Sequence, residues 1–191
     1  MSFYGAQRKH HALTGQFLAQ LSRTFLPSFR RCPNVVGIAA SGTFWSHVVA
    51  LKSDGTVVEW DDRRGEPSIP NGLSNVVAIA AGPSHNLALK NDGTVVAWGY
   101  STTSETEVPV GLNNVVAISA GGHTIVPLYG FSLALKKDGT IVAWGEIAIG
   151  SQGIQLARVP AGLTNVVAIA AGDNFCLAIT TNSAVADKFR H

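Results

Sequence analysis

Residues 75–98 read NVVAIAAGPSHNLALKNDGTVVAW, and most of the chain is a set of variations on this stretch. Residues 34–60 read NVVGIAASGTFWSHVVALKSDGTVVEW, and residues 114–144 read NVVAISAGGHTIVPLYGFSLALKKDGTIVAW. A fourth copy opens at Asn165 as NVVAIAAGDNFCLAIT and decays into TTNSAVADKF over residues 180–189. The leading asparagines recur at intervals of 41, 39 and 51 residues. A period near 40 is the mark of a solenoid or propeller, because each unit must bury its apolar face against the next.

One copy holds three strand-like runs: VVAIAA (76–81), LALK (87–90) and TVVAW (94–98). Asp92-Gly93, matched by Asp54-Gly55 and Asp138-Gly139, separates the second run from the third. Asp-Gly between alternating apolar runs predicts a hairpin, here with a type I′ turn. Small residues close the first run (Ala80, Ala81, Gly82) and a tryptophan closes the third, the taper that radially arranged sheets need. A short fourth run precedes each new copy, as Pro70-Asn71-Gly72-Leu73, Pro109-Val110-Gly111-Leu112 and Pro160-Ala161-Gly162-Leu163. Proline confines such a run to a sheet edge, and the glycine turns the chain. The expected fold is all-β, a partial, open β-propeller of about three to four four-stranded antiparallel blades. Its copies start near residues 34, 75, 114 and 165 and fill residues 34–191, the last copy incomplete.

Composition agrees. The chain has 191 residues, 46% of them hydrophobic and 14% charged, against about 25% charged in an average globular chain. The net charge of +2 is unevenly placed. Residues 1–33 carry Arg8, Lys9, Arg23, Arg30 and Arg31 with no acid, so the repeats are net acidic and exclude a nucleic-acid platform there. Residues 1–33 match no copy; Phe17, Leu18, Leu21 and Phe25 are spaced for a short helix, in a basic leader, cap or targeting segment. No run reaches the length of a membrane span. Cys32 and Cys176 form no CxxC, and Cys176 reads as a buried free thiol on a strand.

The pattern VVAIAAG–HxLALK–DGTVVAWG–VPxGL over residues 34–185 resembles the regulator of chromosome condensation repeat, a family of seven-bladed propellers. Its short Pro-x-Gly-Leu linkers look most like bacterial members, including the propeller-type β-lactamase inhibitor proteins. The resemblance implies a propeller and a binding role. Nucleotide exchange on a nuclear small GTPase does not carry over, since none of its loop residues can be matched, and neither does β-lactamase inhibition, which depends on loops from a complete ring. Seven blades need about 280 residues at this period, so three accounts compete: a fragment of a longer chain, half of a homodimeric ring, and an open arc covered by residues 1–33.

Alternating strand direction sorts the connections. Those after the first and third runs share one face, and the Asp-Gly and Pro-x-Gly-Leu turns share the other. The connection after the first run gains three residues in copy one and seven in copy three relative to the others. The third-run tryptophans stand 15, 16 and 21 residues before the next leading asparagine. All the length variation therefore falls on one face, where binding loops on a rigid scaffold are expected. That face is expected to display Phe44, Trp45, Asp61, Asp62, Arg63, Arg64, Tyr100, His123 and Tyr129 as candidates for contacting a protein partner. The competing reading folds Trp45 and Tyr129 over the blade tops and self-pairs residues 61–64.

Other polar residues point away from chemistry. His47 and His85 occupy the slot held by Phe131 and Phe175, which marks a packing position. Asp54, Asp92 and Asp138 each serve one turn, whereas calcium takes six or more oxygens. No GxSxG, HExxH or GxxxxGK[ST] occurs. The expectation is a non-enzymatic protein-interaction module with no catalytic or metal site and no cofactor. The alternative is a carbohydrate-binding or hydrolytic propeller drawing on Asp61, Asp62, Glu105, Glu107 and Glu146, among which no spacing singles out a pair.

Overall fold

The computed structural model describes residues 32–41, 47–61, 69–101, 103–123, 129–148, 154–181 and 187–189, all in strands, turns and connections. Residues 1–31, with the helical spacing noted above, lie outside the described residues. Four antiparallel sheets follow one another along the chain. Blade 1 holds β1 (Val35–Ser41), β2 (His47–Lys52) and β3 (Val57–Asp61). Blade 2 holds β4 (Val76–Ala81), β5 (His85–Lys90) and β6 (Val95–Gly99). Blade 3 adds an outer strand to β7 (Val115–His123), β8 (Tyr129–Lys136) and β9 (Ile141–Ala148), namely β10 (Ile154–Leu156). Blade 4 holds β11 (Val166–Ala171), β12 (Cys176–Thr180) and β13 (Asp187–Phe189).

The arrangement is the partial, open propeller that the repeat predicts. First strands of successive blades lie against one another, β1 on β4, β4 on β7 and β7 on β11. They form the inner wall, where their alanines and glycines leave room for close approach. Two details differ from expectation. In blade 2 the Pro109–Leu112 run is a turn closed by Leu112 N–H on the Pro109 carbonyl, with Gly111 at φ 80°, so the blade has three strands. Proline and a positive-φ glycine suit that turn and not a ladder. And although copy four lacks Asp-Gly, Asp187–Phe189 still pairs with residues 176–178 as a third strand.

The Asp-Gly hairpins are also of another type. Gly93 N–H donates to the Lys90 carbonyl, Lys90 N–H donates to the Thr94 carbonyl, and only Gly93 has positive φ (79°). That is a three-residue loop, a type I turn followed by a left-handed glycine, not the two-residue type I′ turn. Asp92 sits in ordinary right-handed space and takes the N–H and hydroxyl of Thr94. Asp54 with Thr56 and Asp138 with Thr140 repeat the bonding. These bonds, with the lysine two residues before, hold the Asp54 and Asp92 carboxyls down at about 2 and depress Asp138 as well.

The same glycines join the blades. The carbonyls of Gly55, Gly93 and Gly139 accept the N–H of Val76, Val115 and Val166, each in the next blade, at 3.1 Å. The leading asparagines stand at this junction with φ between 56° and 65°. Asn tolerates that left-handed geometry better than other side-chain-bearing residues. Each Asn carbonyl accepts the N–H of the residue just past its own second strand, Asn75 from Asn91 for example. A one-residue bulge follows and turns Val36, Val77, Val116 and Val167 outward.

Between blades the apolar packing repeats. Val49 and Leu51 of blade 1 meet Val76, Ala88 and Trp98 of blade 2. Leu87, Leu89 and Val95 of blade 2 meet Val115, Ile118, Ala134 and Trp144 of blade 3. Leu135 of blade 3 meets Val166 and Ala178 of blade 4. Blades 1 to 3 thus each have a leading side (Val, Ile, Ala, Val, Trp) and a trailing side (Val or Leu, Leu and an aliphatic of the third strand), and blade 4 keeps the Val, Ile and Ala of the leading side. Both sides are buried at all three junctions.

Candidate functional site

Strand register settles which connections share a face. Ala81 pairs with Asn86 and His85 with Gly99, so the end of β4, the start of β5 and the end of β6 meet at one rim. The other blades repeat this, and the Asp-Gly turns lie at the opposite end. The insertion in copy three extends a hairpin instead of forming a free loop at its base. Gly121 pairs with Phe131, Gly122 with Gly130 and His123 with Tyr129, which lifts blade 3 above its neighbours. Gly122 has φ 131°, and an added Cβ there would collide with the Tyr129 carbonyl, so this approach needs glycine.

Of the nine candidates, the described residues include four. Tyr100 is anchored by its N–H on the Ser84 carbonyl and is 52% exposed. His123 Nδ1 lies 2.6 Å from Asp173 Oδ1 of blade 4, and its imidazole stacks on Tyr129 with centroids 5.6 Å apart. Tyr129 itself is only 5% exposed, so it supports the histidine and presents little surface of its own. The backbone of Asp61 ends β3 at the same rim. Phe44, Trp45, Asp62, Arg63 and Arg64 lie outside the described residues.

Beneath the rim run two polar chains that sequence reading missed. His47 Nε2 bonds Asn86 Oδ1 at 2.9 Å, and Asn86 Nδ2 donates to Glu59 Oε1 at 2.8 Å. Trp98 Nε1 donates to the other Glu59 oxygen at 3.0 Å. At the next junction His85 Nε2 meets Ser132 Oγ at 3.0 Å, and the Ser132 hydroxyl and Trp144 Nε1 both donate to the Glu105 carbonyl. Ser132 gives its one proton to that carbonyl, so it accepts from His85, which fixes the Nε2–H tautomer. Among the described residues, the Nδ1 atoms of His47 and His85 are buried without a partner. Burial is the main cause that pushes His85 down to about 4, so its ring is neutral at physiological pH. His47 and His85 are therefore packing residues, as their exchange with phenylalanine suggests, and they also hydrogen-bond across the blades. The sequence signal was available: Glu59 stands where other copies have Ala97 and Ala143, and Asn86 and Ser132 share a slot filled by Val48 and Cys176 in the other two copies.

The carboxylates do not converge on a cleft among the described residues. Glu105 is fully buried, and its Oε2 receives Thr103 N–H, the Thr103 hydroxyl and the Ser101 hydroxyl. The Thr103 hydroxyl also accepts Gly130 N–H, which clamps this loop onto blade 3. Glu105 is a loop anchor rather than an accessible acid. Among the described residues no group of three or more His, Cys, Asp or Glu could hold a metal ion. Cys176 is a free thiol, pushed up to about 12 by burial.

A four-sheet arc with this junction chemistry is a propeller of short tryptophan-ended repeats. Residues 76–103 match the family model of the regulator of chromosome condensation (RCC1) repeat. The solved structure of Prp20p, the RCC1 of Saccharomyces cerevisiae, is 21% identical with a TM-score of 0.61, over 81% of this chain and 45% of that one. The ectodomain of the Physcomitrella patens receptor kinase CR4 is 17% identical with a TM-score of 0.61, over 82% of this chain and 40% of that one. That of ACR4 from Arabidopsis thaliana is 20% identical with a TM-score of 0.57, over 82% and 49%. No curated protein sequence matches the chain. The chain spans less than half the length of these solved propellers, and the likeness is one of fold. The resemblance read from the repeats is met by the family model over residues 76–103 and by the fold of a partial propeller over the described blades.

Proposed function

We propose that the chain is a non-enzymatic protein-interaction module that presents the rim bearing Tyr100 and His123. The supporting observation is that in copies one to three the inserted segments fall at that rim while the opposite-end turns keep one length, over a scaffold whose buried carboxylates are consumed by its own hydrogen bonds. The comparison is in keeping with this reading: yeast Prp20 was solved bound to Kap60 and is described with binding to Gsp1p and histones. The unmatched part of such propellers leaves the partner of this chain to be found by experiment. Phe44, Trp45 and residues 61–64 belong to the same proposed surface by their position in the repeat.

The test is site-specific photo-crosslinking in cells. A photoreactive phenylalanine at Tyr100 and at His123 is expected to capture one common protein. The same group at Val110, a fully exposed residue of the opposite face, is expected to capture none of it. Equal capture from both faces, or none from either, refutes the reading.

A further inference from the structure

Asn71 is the one asparagine in the sequence that glycine follows. It stands exposed in the Pro70–Leu73 turn, at the end opposite the rim. The turn is closed by Leu73 N–H on the Pro70 carbonyl at 3.2 Å, with Gly72 at φ 79°. Among the described residues the Gly72 N–H donates to no backbone carbonyl. A Cβ added at Gly72 would meet nothing within 4 Å, so the approach to this amide is open. Asparagine is a thermolabile residue, because the backbone nitrogen that follows can attack its side-chain amide. The Pro70–Leu73 turn leaves that nitrogen unhindered and unbonded.

The repeat protects the asparagines at its junctions. After Asn75, Asn114 and Asn165 comes a valine whose N–H is held by the carbonyl of Gly55, Gly93 or Gly139 at 3.1 Å. The β-branched side chain of that valine also crowds the nitrogen. Asn86 is 2% exposed, and its amide is held by His47 and Glu59. The equivalent turns carry Val110 and Ala161 where this one carries Asn71, each before a glycine at φ 80° or 81°. The fold offers the same open turn three times and places a reactive side chain in it once.

We propose that Asn71 is a self-modifying site that converts to aspartate and isoaspartate in the folded protein. The Gly72 nitrogen bonds to Asn71 Cγ, the Cγ–Nδ2 bond breaks, and the Gly72 amide proton leaves with Nδ2 as ammonia. Water then opens the succinimide ring. Attack at Cγ restores the main chain as aspartate, and attack at the main-chain carbonyl carbon leaves it running through Cγ as isoaspartate. Either product adds a carboxylate to the turn. Isoaspartate also lengthens the backbone by a methylene two residues before Leu73, which packs against the core shared by blades 1 and 2. Its free α-carboxylate is the group that isoaspartate-directed methyltransferases esterify, so the implied partner is an enzyme of that class using S-adenosylmethionine.

Peptide mapping by mass spectrometry on the full folded chain, held at mildly alkaline pH over a time course, tests this. Trypsin releases residues 65–90, which carry Asn71, Asn75 and Asn86 together as an internal comparison. Replacement of amide by acid is expected at Asn71, with isoaspartate among the products. Asn75 is expected to react about tenfold or more slowly, since its attacking nitrogen must first leave a hydrogen bond. Methylation by an isoaspartate methyltransferase with labelled S-adenosylmethionine is expected to rise with time in the wild type and to be lost in Asn71→Gln, whose longer side chain needs a larger ring. No conversion at Asn71, conversion no faster than at Asn75, or conversion seen only after unfolding in guanidinium overturns the proposal. The wild-type measurement depends on no variant. The turn lies away from the rim, so the result is independent of the crosslinking experiment.

Discussion

Gly93→Ala separates the two jobs of the Asp-Gly turn. Gly93 has φ 79°, and an added Cβ would stand 3.2 Å from the backbone nitrogen of Asn114 and 3.3 Å from its Cα and from Val115 N. Gly111 has φ 80°, yet its added Cβ would meet nothing within 4 Å. Alanine at either site incurs the left-handed penalty of about 1–2 kcal/mol. Only at Gly93 must backbone also move, which stretches the bond from Val115 N–H to the Gly93 carbonyl. Losing that bond adds about 0.5–1.5 kcal/mol. The expected loss is therefore about 1.5–3.5 kcal/mol for Gly93→Ala and about 1–2 for Gly111→Ala. The assay is urea unfolding with a shared slope, backed by the melting temperature, where each kcal/mol is worth about 2–4 °C at this size. Equal destabilisation by the two substitutions refutes the claim that this glycine joins blades as well as turning the chain.

Glu59→Ala removes the acceptor of both Asn86 Nδ2 and Trp98 Nε1 and strands two buried donors. A loss of about 2–4 kcal/mol is expected in the same unfolding assay, with Trp98 fluorescence altered; an unchanged stability counts against the buried chain. Stability is expected to fall with acid in two windows. His85 is depressed from 6.5 to about 4, so the unfolded chain takes up a proton first and stability falls as pH drops from about 6.5 to 4. Asp54 and Asp92, depressed from 3.8 to about 2, add a second loss between those values as their turn bonds are protonated away. His85→Phe is expected to flatten the upper window alone; a pH profile unchanged by it shows that another group titrates there.

Much was legible in the chain because the repeat states the same local solution four times. The strands, the hairpin positions, the taper toward the axis and the rim of irregular connections all follow from near-neighbour rules. The finer turn type did not, since Asp-Gly fits a two-residue or a three-residue loop, and only the ladder bonds of Lys90 with Thr94 choose. Nor did the fourth strand, which proline and glycine turn into a β-turn at 109–112. At the site, the rim was readable but the roles were exchanged. Tyr129 turns inward under His123, and Glu105, one of five loop acids in the alternative reading, is the buried anchor of its loop.

By itself the amino-acid order determined the unit and its repetition: three short strands, a turn, a tryptophan at the wide end, and a partner needed on either side. Those are consequences of alternation, turn chemistry and side-chain size within a few residues. Tertiary structure decided what happens between units. A glycine carbonyl meets the next valine, a histidine reaches an asparagine or serine 39 or 47 residues away, and Asp173 reaches back to His123. Such pairings depend on where two blades come to lie, and adjacency in space is not written at any fixed spacing along the chain.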